Sequence, residues 1–173
     1  ENNQTFNILT KSDLVLRDLD ILKKIKNCTV TISITTYDEN LRKIFEKNVI
    51  SADKRINLLK KLKENNIKSG IAIIPIIPFI TENQVKKIFE KTDIYNPDFY
   101  HYRYLELKGD QKRFFMKIIE KNFPEKYDNF KKLYDKTILP SKDYIKKTDL
   151  KIKKIWKLTI YKFFSSFASI PLF

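Results

Sequence analysis

Cysteine, glycine and histidine are nearly absent from this sequence, and each absence narrows what the chain can do. Cys28 is the only cysteine among 173 residues. No disulfide can form within the chain, which fits a reducing compartment such as the cytoplasm. One thiol also cannot hold a zinc ion or an iron–sulfur cluster. The only glycines are Gly70 and Gly109, so no GxGxxG or GxxxxGKS phosphate cradle exists. The lone histidine, His101, suits a structural place better than acid–base work and is assigned no such role. No signal peptide is expected at the start of the chain. Residue 1 is a glutamate within polar sequence, and the expectation is that it is not a natural start.

What is abundant is positive charge. Lysine and arginine number 35 against 21 acids, a formal net charge of +14. Such an excess can neutralise phosphates and release their counterions, which points to nucleic acid. The alternative is a lysine-rich composition spread over every helix surface. Hydrophobic residues make up 42% and charged residues 32%, as in a globular domain with a real core.

Along the chain, short apolar runs alternate with amphipathic ones, the pattern of an α/β fold. Strands are expected at 5–10, 29–36, 69–77 and 98–107. Helices are expected at 13–26 with Ser12 as N-cap, at 51–65 with Ser51 as N-cap, and from Thr81 as cap to about Lys91. Two more follow at 110–122 and 126–136, divided at Pro124. The run SGIAIIPII is apolar almost throughout and suits a parallel strand buried on both faces. Its prolines predict that the regular strand ends near Ile74. Four strand–helix units in series predict a parallel sector of a barrel. A closed eight-strand barrel needs about 250 residues, so either the sheet is open or amino-terminal units are missing.

The segment LTIYKFFSSFASIPLF, residues 158–173, carries almost no charge. It is short of the roughly 20 apolar residues of a membrane helix, and no span is expected. It reads as a terminal helix, an interface segment, or a tail foreign to the domain, the last being preferred. The expected division is a domain over 1–155 and an apolar tail over 156–173.

The strings ILTKSDLVLRDLDILKKI, VTISITTYDENLRKIFE and SADKRINLLKKLKENNIKSGIAIIPIIPFIT resemble, in order and spacing, the carboxy-terminal half of radical SAM proteins of the spore photoproduct lyase-like group. YRYLELKGDQKRFF, NFPEKYDNFKKLY and the spaced Tyr134, Pro140 and Tyr144 extend the resemblance over about Thr5 to Ile155. The chain departs from the group at three places. Phe79 stands where glycine is common, Lys47 follows Glu46 where proline is common, and Asn66 occupies a helix-to-strand turn that often holds glycine. Asn tolerates the left-handed conformation; the bulk of Phe79 is expected to narrow the cleft mouth.

The resemblance implies a sector of a partial (β/α)6 TIM-like barrel with its amino-terminal units missing. It also implies S-adenosylmethionine and a 4Fe-4S cluster in the parent family. There a CxxxCxxC loop holds the cluster through three thiolates and leaves one iron open. Reductive cleavage of the sulfonium then gives a 5′-deoxyadenosyl radical. That loop is absent here, so neither cofactor is expected to bind stably to this chain alone. Cys28 is expected in a helix-to-strand connection, at the end opposite the active site, as a small buried hydrophobe.

Ligands of parallel βα sheets sit beyond the carboxyl ends of the strands. That rule selects Thr10, Lys11 and Ser12, then Ser33, Thr35 and Thr36, then Ile76 to Pro78. Lys11 is a cation suited to the methionine carboxylate, or a surface lysine at a sheet edge. Ser33 is a partner for ribose or carboxylate on the face it shares with Thr35, or a satisfied sheet hydroxyl. The backbone of Ile76 to Pro78 offers carbonyls to the adenine amine, or simply ends a strand. Tyr100, Tyr102 and Tyr104 share one face. Facing inward, Tyr102 and Tyr104 would stack a base or stabilise a radical pathway; the alternative is aromatic core packing.

Two functional classes follow. One is a fragment of a radical SAM enzyme, with nucleic acid as a possible substrate. The other is a non-enzymatic basic nucleic-acid-binding protein or the product of a decayed gene. A different complete barrel enzyme would need an acid–base set at the strand ends, which Glu106 alone does not supply.

Overall fold

The β-branched runs become four parallel strands in the computed structural model, in which residues 4–158 are described. These are β1 (Phe6–Thr10), β2 (Cys28–Ser33), β3 (Ser69–Ile76) and β4 (Tyr100–Tyr104), ordered β1-β2-β3-β4. Consecutive parallel neighbours require a crossover between each pair. After β1 comes a 3-10 segment (Asp13–Asp18) and α1 (Leu19–Leu22). α2 (Glu39–Phe45) and α3 (Ala52–Glu64) link β2 to β3, and α4 (Gln84–Thr92) links β3 to β4. α5 (Asp110–Asn122), α6 (Pro124–Tyr134) and α7 (Lys142–Leu158) complete the chain as described.

Several local expectations hold. Ser12 accepts from the Leu14 amide, and Ser51 accepts from Lys54. Pro124 opens α6, where its missing N–H costs nothing. Asn66 takes φ 56°, the left-handed turn. Gly70 is required for a different reason: a Cβ there would sit 2.5 Å from the Phe99 carbonyl oxygen. Other expectations fail. The first helix is a 3-10 turn followed by one α turn, ending at Leu22 rather than Lys26. Thr81 does not cap α4; its hydroxyl accepts from the Ile77 amide at 2.8 Å, and the helix begins at Gln84. The regular pairing of β3 does stop beside Ile74, as its prolines predict, but the strand does not give way to a loop there and runs on to Ile76. The register shifts between Ile73 and Ile76, and pairing then resumes with Tyr104. α2 and α7 add helices beyond those expected.

The sheet has two unlike faces. Val30, Ile32, Ile71 and Ile73 pack with Leu58, Leu59 and Leu62 of α3 and Val85, Ile88 and Phe89 of α4 in the main core. The opposite face carries Asn7 and Leu9 of β1, Thr29, Thr31 and Ser33 of β2, Ala72 of β3, and His101 and Arg103 of β4. None of these belongs to that core. A second cluster joins Ile77, Ile80, Leu105 and Leu107 to Ile119, Phe130 and Tyr134, with Phe45 stacked on Phe115 and Phe123. Among the described residues β1 ends the sheet, with Phe6 and Leu9 exposed. The expected boundary at 155/156 falls inside α7, and residues 159–173 of the expected tail lie outside the described residues. No described helix is long and apolar enough to cross a membrane.

Candidate cofactor cleft at the strand ends

Two candidate residues, Lys11 and Thr35, meet at an acid that the sequence reading passed over, and Ser33 lies beside them on a carbonyl shared with Thr35. Glu46 ends α2, and its side chain is only 3% exposed. Its Oε1 takes an ion pair from Lys11 Nζ at 2.7 Å and its Oε2 one from Arg55 Nη2 at 2.8 Å. Thr35 Oγ1 lies 2.9 Å from Glu46 Oε1 and 2.9 Å from the Ile74 carbonyl, so one hydroxyl proton serves two acceptors. Ser33 donates to the same carbonyl at 3.3 Å. Arg55 is fully buried in α3 and also donates through Nη1 to the Ser33 carbonyl at 2.8 Å. Its Nε is buried without a hydrogen-bond partner among the described residues.

The chain builds this cluster by simple means. β1 and β2 run parallel, so their carboxyl ends lie together and bring Lys11 beside Thr35. Asp38 caps α2 through the Asn40 and Leu41 amides, which starts the short helix that delivers Glu46. Ser51 caps α3, which places Arg55 one turn in. Burial pushes the Glu46 carboxyl up, but the Arg55 guanidinium and the Lys11 ammonium outweigh it and hold the group below its ordinary range. Two cations face one carboxylate, so the cluster keeps one positive charge. Lys11, with a side chain 38% exposed, presents it. The cleft end of β1 and β2 is therefore suited to an anionic group such as a carboxylate.

The other candidates are placed differently. Ser12 is occupied as a helix cap, and Thr10 Oγ1 accepts from its amide. The carbonyls expected to be free after β3 are not. Leu105 N–H takes the Ile76 carbonyl, and the amides of Ile80 and Thr81 take that of Ile77. Pro78 is buried. Tyr102 and Tyr104 face the helix layer, so the condition for stacking substrate on them is not met. Both hydroxyls donate to Asp149 Oδ1 of α7, at 2.8 and 2.7 Å. Tyr100 packs on Phe89 and meets Thr92. His101 and Arg103 take the opposite face, where Arg103 Nε donates to His101 Nε2 at 3.3 Å. Burial first, and Arg103 second, lower the histidine pKa and keep it neutral as acceptor.

An iron–sulfur cluster does not fit these residues. Cys28 is buried at the amino end of β2, far along the strand from Lys11, and no His, Cys, Asp or Glu group among the described residues could hold a metal ion. What the strand ends do supply is a partly exposed cation, Lys11, with the chemistry to meet a carboxylate.

Comparison with known proteins agrees with the architecture. The family description of the radical SAM superfamily matches residues 1–92. An uncharacterized protein of Methanocaldococcus jannaschii is 40% identical over 154 residues, covering 86% of this chain and 56% of that protein. An uncharacterized protein of Acidianus two-tailed virus is 36% identical over 74 residues, 42% of this chain and 25% of that one. Among solved structures, a spore photoproduct lyase variant with bound S-adenosylmethionine and dinucleoside spore photoproduct superposes with a TM-score of 0.67 at 17% identity. That match covers 90% of this chain and 48% of the lyase, and so concerns the fold. The chain spans about half the length of the relatives it matches most extensively. With 92 of 173 residues matched by the family description and the parallel strand order of such barrels in place, the chain belongs to the radical SAM superfamily.

Proposed function

We propose that this chain forms the S-adenosylmethionine-binding wall of a radical SAM enzyme whose cluster loop lies outside the 173 residues, and that the enzyme acts on nucleic acid. The observation that carries the reading is the Lys11–Glu46–Arg55 cluster, with its surplus positive charge at the carboxyl ends of β1 and β2. Lys11 meets the methionine carboxylate. Ser33 and Thr35, already turned to the Ile74 carbonyl, line the cleft below it. Glu46 acts through Lys11: anchored by Arg55 and Thr35, it fixes where the ammonium points. When bound with its cluster, S-adenosylmethionine supplies the carbon radical that abstracts hydrogen. These residues only bind and orient it. The nucleic-acid substrate is supported by the +14 charge and by the likeness to a lyase solved with a dinucleoside photoproduct.

The test is equilibrium dialysis with labelled S-adenosylmethionine after anaerobic reconstitution with iron and sulfide. It is run on this chain and on the chain extended upstream. The expected result is a visible iron–sulfur charge-transfer band and tight binding in the extended protein alone, with Lys11→Met weakening binding about tenfold or more. No band in the extended protein, or binding indifferent to Lys11, would overturn the reading.

A further inference from the structure

The loop after β3 holds a bulky residue where the backbone disfavours one. Phe79 sits at φ 63°, the left-handed region that a large side chain rarely enters. Five hydrogen bonds leave it no choice. Ile77 N–H donates to Thr81 Oγ1, and the amides of Ile80 and Thr81 both donate to the Ile77 carbonyl. The Phe79 amide itself points to Glu82 Oε1 at 2.7 Å and the Tyr144 hydroxyl oxygen at 3.2 Å. Strain kept in place this way marks positions where the side chain has a use. The residue is 37% exposed, and Tyr144 braces its ring at 5.2 Å with the planes 68° apart.

Phe79 borders a recess of about 430 Å³ whose other walls are Asn129, Lys132 and Leu133 of α6 and Ser141 before α7. That volume lies in the range of small-ligand sites. The chemistry of the walls is mixed in a particular way. Phe79 and Leu133 offer apolar surface to a flat ring. The Asn129 amide can both give and accept hydrogen bonds at a ring edge, and Lys132 offers a cation. Lys132 is exposed, so its charge is available to a bound anion. A flat ring with polar edges and a nearby anion is a nucleotide. We propose that this recess binds one unpaired nucleotide, its base stacked on Phe79 and its phosphate on Lys132.

The loop that carries Phe79 leaves the carboxyl end of β3, so a base held there lies on the same end of the sheet as Lys11. The inference rests on the nucleic-acid reading above but not on S-adenosylmethionine binding. Base stacking on an aromatic side chain contributes about 1–3 kcal/mol per base, which corresponds to about a five- to hundredfold change in affinity.

The probe is a short single-stranded oligodeoxynucleotide containing 2-aminopurine, titrated into the full chain. Free adenosine monophosphate is used in a parallel arm to separate a free-nucleotide site from a strand site. Phe79→Leu keeps apolar bulk and removes the π-face; Phe79→Tyr restores it. Quenching of 2-aminopurine is expected with the wild type and Phe79→Tyr, and it should be lost with Phe79→Leu, with at least a fivefold weaker affinity. Lys132→Met should keep the quench and lower the salt dependence by about one counterion. Thermal melts of each variant establish that all fold alike. Binding that is unchanged in Phe79→Leu would overturn the inference and leave nucleic-acid binding standing. An absence of binding to either probe would overturn both.

Discussion

Two carboxylates sit at comparable crossing points in this molecule, and their neighbours make them opposites. Glu46 lies between β1, β2 and α3 and is met by two cations and a hydroxyl. Asp149 lies between β4 and α7 and is met by two phenols. The first cluster keeps one positive charge, carried by the partly exposed Lys11, whereas the second keeps one negative charge on the carboxylate itself. The second joins neutral donors to one acid within the helix layer and holds the last helix to the sheet. Lys11 occupies the cleft end while the Asp149 phenols lie on the far face. The difference is one of environment: Glu46 is buried and balanced by cations, whereas Asp149 is half-buried and solvated by phenols.

The largest expected effect comes from breaking the ionic side of the comparison. Glu46→Leu leaves Arg55, which is fully buried, without its counter-ion. An uncompensated buried charge costs about 3–5 kcal/mol. Urea unfolding should show that loss; a change below about 1 kcal/mol would mean the pair is not held as described. On the neutral side, Asp149→Ala removes the acceptor shared by Tyr102 and Tyr104, a loss of about 1–3 kcal/mol. An Asp149→Ala penalty equal to that of Glu46→Leu would show that the two carboxylates hold the fold alike.

The two sides also differ in the direction of their pH dependence. The folded Glu46 pKa lies below its ordinary value of 4.5, so its stabilisation is complete above that value and is lost as pH falls through the folded pKa. The Tyr102 and Tyr104 pKa values are raised above 10.0, by burial first and then by Asp149. Their contribution is complete below pH 10.0 and declines as pH rises beyond it. Stability measured against pH should therefore have an acid limb that Glu46→Gln reduces, and an alkaline limb that a Tyr102→Phe/Tyr104→Phe pair reduces. An acid limb unaltered by Glu46→Gln would show that other carboxylates set it.

How far these features were legible depends on how local their causes are. The Ser12 and Ser51 caps and the α5 bounds follow from neighbours in sequence, and they were readable. That Tyr100, Tyr102 and Tyr104 share a face followed from strand alternation; which face they took did not, although the intervening His101 and Arg103 hinted that the polar side would turn from the helices. Thr81 misled because a hydroxyl before a helix serves equally well as a partner for a loop amide, and here the Ile77 amide won. The carbonyls after β3 were expected to be free because proline breaks a ladder, yet pairing resumes beyond the irregularity. Glu46 was invisible. In the string KIFEK it reads as a solvated acid at a helix end, and only the placement of Lys11 35 residues earlier and Arg55 nine residues later makes it the centre of an ionic cluster.

The smallest effect on stability is expected where the effect on binding is greatest. Lys11 keeps a side chain 38% exposed, and an exposed ion pair contributes only about 0–1 kcal/mol. Lys11→Met also leaves Glu46 with Arg55 and Thr35, so nothing buried loses its partner. Its melting curve should overlay that of the wild type while S-adenosylmethionine binding by the extended protein falls. Glu46→Gln adds the sharper test when combined with it. If Glu46 acts on the ligand through Lys11, its effect on affinity vanishes in the Lys11→Met background. If its effect persists there unchanged, Glu46 supports the wall without directing the lysine, and the ionic cluster is a matter of fold, like the phenols around Asp149.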